Sequence, residues 1–80
     1  AGSVFRNPQD YFAWQLIDDI YLRGLQIGGA RVSDKHPNFI VNEDHATAKD
    51  FIQITEQIKQ SVKNQYQLDL IMEVEKFNCR

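Results

Sequence analysis

The stretch TAKDFIQITEQIKQSVKNQY, residues 47–66, decides the fold. Thr47 stands where a helix N-cap belongs, and Asp50 three residues on makes an approximate capping box, with Asp in place of the usual Glu. Phe51, Ile54, Ile58, Val62 and Tyr66 then recur at intervals of 3, 4, 4 and 4. That is the buried stripe of an amphipathic helix of about five turns. Gln, Lys and Glu fill the opposite face. A helix with one apolar stripe must lay it on something, so the flanking residues have to supply the other layer.

Downstream, LDLIMEV (residues 68–74) reads as a strand, with charges set among apolar neighbours at Asp69, Glu73 and then Glu75. Upstream, the turn formers Asn42, Glu43 and Asp44 close a short strand, Phe39-Ile40-Val41, which follows a polar loop at residues 33–38. LQIGGARV (residues 25–32) reads as one interrupted strand, with Gly28-Gly29 marking a bulge, a tight bend or a close backbone approach. Before it, Phe12, Ala13, Leu16, Ile17 and Ile20 trace one face of a helix that Asp10 caps and Gly24 stops. Residues 4–6 suit a first short strand, ended by the turn signal Asn7-Pro8-Gln9-Asp10. The order β-α-β-β-α-β predicts an α+β domain, two helices packed on one small sheet.

The bulk properties agree with this plan. Eighty residues make one domain with a modest core, and 42% hydrophobic content with a net charge of −2 marks a globular chain with no leaning toward nucleic acid. No apolar run approaches the ~18 residues of a membrane span and no signal segment opens the chain, so no membrane partner is expected and the expected location is cytoplasmic. The chain begins at Ala1 rather than Met, as a piece of a longer protein would. A single cysteine, Cys79 beside Arg80, excludes an internal disulfide or a multi-thiolate zinc site and reads as an inert thiol.

Spacing alone yields no complete catalytic motif: GxGxxG, the P-loop and HExxH are all missing. His36 and His45 lie nine apart in separate loops and read as solvated, so no metal is expected. Asp18-Asp19 and Glu43-Asp44 read as solvated acids, and Trp14 as a core residue. Gly28-Gly29 suits either backbone turning or approach to a phosphate. Glu73 is either a solvent-face residue or a half-buried carboxylate able to donate or relay a proton. Ser3, in GSVFRNP (residues 2–8), is either debris of a vector joint or a hydroxyl placed for chemistry.

Four segments in order bear on these alternatives: GSVFRNP, AWQLIDDIYLRGLQIGGARVSDKHPNFIVN (residues 13–42), ATAKDF (residues 46–51) and LDLIMEV. Together they resemble the C-terminal domain of the UDP-N-acetylenolpyruvoylglucosamine reductases, flavoenzymes of bacterial peptidoglycan synthesis. The resemblance covers the chain from Gly2 to about Val74. It implies that Ser3 donates a proton to the substrate carbon and that Glu73 is the second acid. Asn7 matches a substrate-contacting asparagine, and Lys35 and His36 occupy the loop facing the nucleotide end of the substrate. The amides near Gly28 and Gly29 are expected to join them at its diphosphate.

The implied substrate is UDP-N-acetylglucosamine enolpyruvate, reduced to UDP-N-acetylmuramate by NADPH through a bound FAD. The flavin is expected to sit on a missing N-terminal region of the same enzyme, so these residues alone are expected to hold no cofactor and to be inactive. Two departures from the family pattern stand out. Glu75 occupies a position usually basic, and Lys76, on the opposite face of a strand, does not replace it. The connection from Pro8 to Trp14 is short, as in members without a substrate-capping tyrosine loop. The competing reading is a non-catalytic interaction module of the same fold, binding through the helix at residues 47–66 or the loop at residues 33–38.

Overall fold

A computed structural model describes residues 3–73. Glu75, Lys76 and Cys79, and the expectations attached to them, lie outside the described residues. The elements are α1 (Ala13–Asp19), β1 (Gln26–Ile27), β2 (Ala30–Val32), β3 (Ile40–Asn42) and α2 (Ala48–Tyr66). The strands form one antiparallel sheet in the order β1-β2-β3, with Ile27 opposite Ala30 and Val32 opposite Ile40. The domain is α+β as expected, with both helices packed together and α2 lying on the sheet.

The capping box forms as read. Thr47 Oγ1 accepts from the Asp50 N–H at 3.1 Å, and the Asp50 carboxylate accepts from the Thr47 N–H at 3.1 Å, so two of the orphan donors at the start of α2 are satisfied. Ile54, Ile58 and Val62 are fully buried, while Phe51 and Tyr66 pack at the edges of the core. Thr55 is also buried, and its hydroxyl donates to the Ile52 carbonyl at 2.9 Å. At the far end Gln67 takes a left-handed conformation and its N–H closes on the Lys63 carbonyl.

Residues 25–32 are two strands rather than one interrupted strand: the glycine pair is the two-residue turn of a hairpin, with Gly28 at φ +58°. The first helix is also shorter than its apolar pattern. Asp10 sits in the left-handed region at φ 71° and cannot cap it. Phe12 occupies the cap position without a side-chain bond, and the first helical N–H, that of Ala13, donates to Asn7 Oδ1 at 2.9 Å instead. The helix ends at Asp19 rather than at Gly24, because Tyr21 turns left-handed at φ 60° with its N–H on the Asp18 carbonyl. Gly24 belongs to the next layer, its N–H bonding the Val32 carbonyl at 3.0 Å.

The first and last segments meet, though as a lone bridge outside the sheet. Phe5 pairs with Met72 antiparallel, flanked by Arg6 N–H to the Ile71 carbonyl at 2.8 Å and Glu73 N–H to the Val4 carbonyl at 2.7 Å. Phe5 and Leu70 thereby join the core formed by Ala13, Leu16 and Ile17 of α1, Ala30 and Val32 of β2, and the α2 stripe.

Candidate functional site

The other side of the Phe5 segment decides where Ser3 goes. Asn38, 7% exposed, turns its side-chain amide onto the backbone of Phe5, accepting from the N–H at 3.0 Å and donating to the carbonyl at 2.9 Å. Its own carbonyl accepts from the Val4 N–H at 2.8 Å. The amide thus takes the place of a neighbouring strand, satisfying two buried backbone groups that would otherwise be orphaned. The result is to hold Ser3 beside the loop that carries Lys35 and His36.

That loop is closed on itself. Ser33 Oγ accepts from the N–H groups of Lys35 and His36 at 3.2 and 3.1 Å. The Phe39 N–H reaches the His36 carbonyl at 2.8 Å, the Ser33 N–H reaches the Phe39 carbonyl at 2.9 Å, and the rings of His36 and Phe39 tilt together at 5.4 Å. Arg23 ties the loop to the end of α1, with Nε 2.6 Å from Asp18 Oδ1 and a terminal nitrogen donating to the Asp34 carbonyl. The hydrogen bond from Arg23 holds the Asp18 carboxyl below its ordinary range, and the same bond raises Arg23 further.

Between these parts lies a cavity of about 400 Å³, walled by Ser3, Asn7, Trp14, Arg23, Lys35, His36, Pro37, Asn38 and Phe39. Four residues named from the sequence, Ser3, Asn7, Lys35 and His36, are therefore brought together from two distant segments. Lys35 forms no ion pair among the described residues, leaving its ammonium for a ligand, whereas Arg23 is already paired with Asp18. Asn7 spends its Oδ1 on α1. A hydroxyl, an amide, a free ammonium and an aromatic wall in one cleft suit a ligand that is anionic at one point and planar or apolar at another.

Glu73 and the glycine pair are placed elsewhere. Glu73 is exposed, is absent from the cavity wall and stands in register with Val4 rather than Ser3, so the half-buried environment expected for it is not found. Gly28 and Gly29 face the start of α2. The Gly29 N–H donates to Asp50 Oδ2 at 3.0 Å, and its carbonyl accepts from the Glu43 and Asp44 N–H groups. A Cβ on Gly29 would lie 2.1 Å from the Asp44 carbonyl oxygen, so close approach of two backbones is what demands glycine there. The Gly29 amide is committed within the domain. The bonds from Gly29 and then from Thr47 also hold the Asp50 carboxyl below its ordinary value.

With the Gly29 amide occupied in this way, the glycine turn does not present paired free amides to a dinucleotide pyrophosphate. No group of three or more His, Cys, Asp or Glu gathers as a metal site among the described residues, where no helix is long and apolar enough to cross a membrane.

Five cavity residues were not named as site residues from the sequence: Trp14, Arg23, Pro37, Asn38 and Phe39. Trp14, expected in the core, is 45% exposed because it lies off the Ala13-Leu16-Ile17 stripe. Arg23 carried a signal, standing beside Gly24 in the quoted segment, and Asn38 carried none, since its partner Phe5 is thirty-three residues away.

The family described as "UDP-N-acetylenolpyruvoylglucosamine reductase, C-terminal domain" matches residues 1–77. UDP-N-acetylenolpyruvoylglucosamine reductase 1 of Bacillus anthracis is 49% identical over 94% of this chain, which corresponds to 25% of that protein. The reductase of Geotalea uraniireducens (strain Rf4) is 51% identical over 92% of this chain and 25% of its own length. The crystal structure of UDP-N-acetylenolpyruvylglucosamine reductase from Thermus caldophilus superposes with a TM-score of 0.73 at 40% identity, over 91% of this chain and 26% of that one. The chain thus spans about a quarter of the length of the relatives it matches. On a family match across nearly its whole length, the chain belongs to the C-terminal domain family of the UDP-N-acetylenolpyruvoylglucosamine reductases.

Proposed function

We propose that this chain is the substrate-binding domain of a cytoplasmic reductase that acts on UDP-N-acetylglucosamine enolpyruvate in peptidoglycan precursor synthesis. The observation that carries the reading is the meeting of Ser3, Asn7, Lys35 and His36 in one cavity. Lys35 and His36 bind the diphosphate end, and Asn7 donates to the substrate through its Nδ2. Reduction of the enolpyruvyl double bond takes up a hydride equivalent and a proton, and the reducing equivalents come from NADPH by way of FAD held by the rest of the enzyme. The task of this domain is the proton. Ser3 Oγ–H, exposed at the cavity edge, gives its proton to the substrate carbon and regains one from solvent. Glu73 is the second acid, reaching the substrate from the segment paired with Val4.

The test is made in the complete enzyme by stopped-flow measurement of the two half-reactions. Ser3→Ala leaves reduction of the flavin by NADPH near the normal rate, since that step needs no proton at the substrate carbon. Oxidation of the reduced flavin by substrate slows by ~10² or more, the usual worth of a positioned acid, and Ser3→Cys restores part of it. Equal slowing of both halves, or normal reoxidation in the alanine variant, makes Ser3 a structural residue.

A further inference from the structure

Resting on the reading above, we propose that the Trp14 indole is the surface on which the pyrimidine base of the substrate stacks, a role that neither the family description nor the sequence motifs assign. α1 buries Ala13, Leu16 and Ile17. Successive helical residues are rotated by about 100°, so Trp14 turns away from that stripe. It is 45% exposed, stands apart from the core and its packed margin, and forms part of the cavity wall. What sets Trp14 apart from the other exposed aromatic residues, Tyr11, Phe12 and Tyr21, is that it alone of them lines this cleft, where a ligand can cover it.

The other walls narrow the chemistry. The rings of His36 and Phe39 are already paired with each other, while Trp14 has no ring partner among the described residues. Lys35 in the same wall, without an ion pair among the described residues, favours an anionic group on whatever Trp14 covers. A UDP-sugar brings two flat or ring-shaped parts, the base and the hexose. The hexose carries its hydroxyl and amide groups on the ring edge and offers an indole only a puckered C–H face, which overlaps it less than a flat aromatic ring does. The pyrimidine carries its polar atoms on its edge, so both faces can be covered without leaving a donor or acceptor unpaired, and the base is the part that belongs on Trp14.

The experiment is calorimetric titration of the complete enzyme with two probes, UDP, which has the base, and N-acetylglucosamine 1-phosphate, which lacks it. Trp14→Ala weakens UDP by roughly 5- to 150-fold, the measured range for one stacked base, and leaves the sugar phosphate unchanged. Trp14→Phe, which keeps an aromatic face, recovers most of the UDP affinity and controls for loss of fold. Equal weakening of both probes, loss confined to the sugar phosphate, or unchanged UDP binding overturns the assignment. A wild-type enzyme with no affinity for UDP would instead overturn the substrate-binding reading on which it rests.

Discussion

Asn38 bonds both the N–H and the carbonyl of Phe5, closing a distance of thirty-three residues in sequence with a single side chain. Replacing it by alanine removes a donor and an acceptor together and leaves two backbone groups of a buried residue unsatisfied, a cost of about 1–3 kcal/mol. Asn38→Ala should lower the denaturation midpoint and speed amide exchange at Phe5 ahead of amides in α2. Asn38→Asp should not rescue, because a carboxylate accepts from the N–H but has no proton for the carbonyl. Unchanged exchange at Phe5 would show that the Met72 bridge alone holds the segment.

Glu73 presents a sharper test, since in the domain taken by itself it is exposed and lies outside the cavity wall. Glu73→Gln keeps size and acceptor geometry and loses the transferable proton. If the carboxyl serves as the second acid in the complete enzyme, kcat should fall by ~10² to 10⁴ with little change in KM. A kcat within a few-fold of normal would assign Glu73 to the surface.

Asp50 supplies a dependence on pH. Its carboxyl is held below the ordinary value of 3.8 by the N–H groups of Gly29 and Thr47. A depressed pKa in the folded state means that the unfolded chain binds the proton first as pH falls. The contribution of Asp50 is therefore fully present above its unfolded pKa and disappears as pH drops through the folded one. Denaturation midpoints of the parent and of Asp50→Asn, measured from neutral pH downward, should differ most above the unfolded value and converge in acid. A gap of constant size at every pH would remove the carboxylate charge from the explanation.

Both glycines of the pair should resist substitution. Gly29→Ala puts a Cβ 2.1 Å from the Asp44 carbonyl oxygen and 2.6 Å from the Ala46 nitrogen, both backbone atoms that cannot swing aside. A cost of about 1–3 kcal/mol or more is expected, as for other overpacked sites. At Gly28 the Cβ meets the Asp50 carboxylate, a side chain that can rotate away, but only by giving up its bonds to Gly29 and Thr47. Gly28→Ala also strains the backbone, since its φ of +58° is one an L side chain rarely adopts, so both variants should lose stability; an unchanged denaturation midpoint for Gly29→Ala would contradict the backbone contact.

The parts of the fold that could be read from the chain are those whose causes are local. The Thr47-Asp50 box, the α2 stripe and the Gly28-Gly29 break each rest on residues within a turn or two of one another. α1 was misread at both ends for the opposite reason. Its first N–H is capped by Asn7 across a proline turn, and Tyr21 breaks it in a conformation that tyrosine does not advertise. The site divides in the same way. Lys35 and His36 share one loop with Asn38, yet that loop's place beside Ser3 depends on a clasp to Phe5 that no spacing reveals. Trp14 was misplaced because an aromatic residue within an apolar helix looks alike whether it faces core or cleft.

The same clasp orders events in time. Within this domain residues 3–5 leave the ribosome first, their partner Asn38 follows thirty-three residues later, and residues 71–73 emerge only when most of the domain has been made. The hairpin of β1 and β2 and the turns of α2 can form from neighbours as they appear, while the serine segment has to wait for both ends of the domain to exist. Until Asn38 has closed on Phe5, Ser3 has no loop beside it, so the cleft takes shape only with that long-range contact.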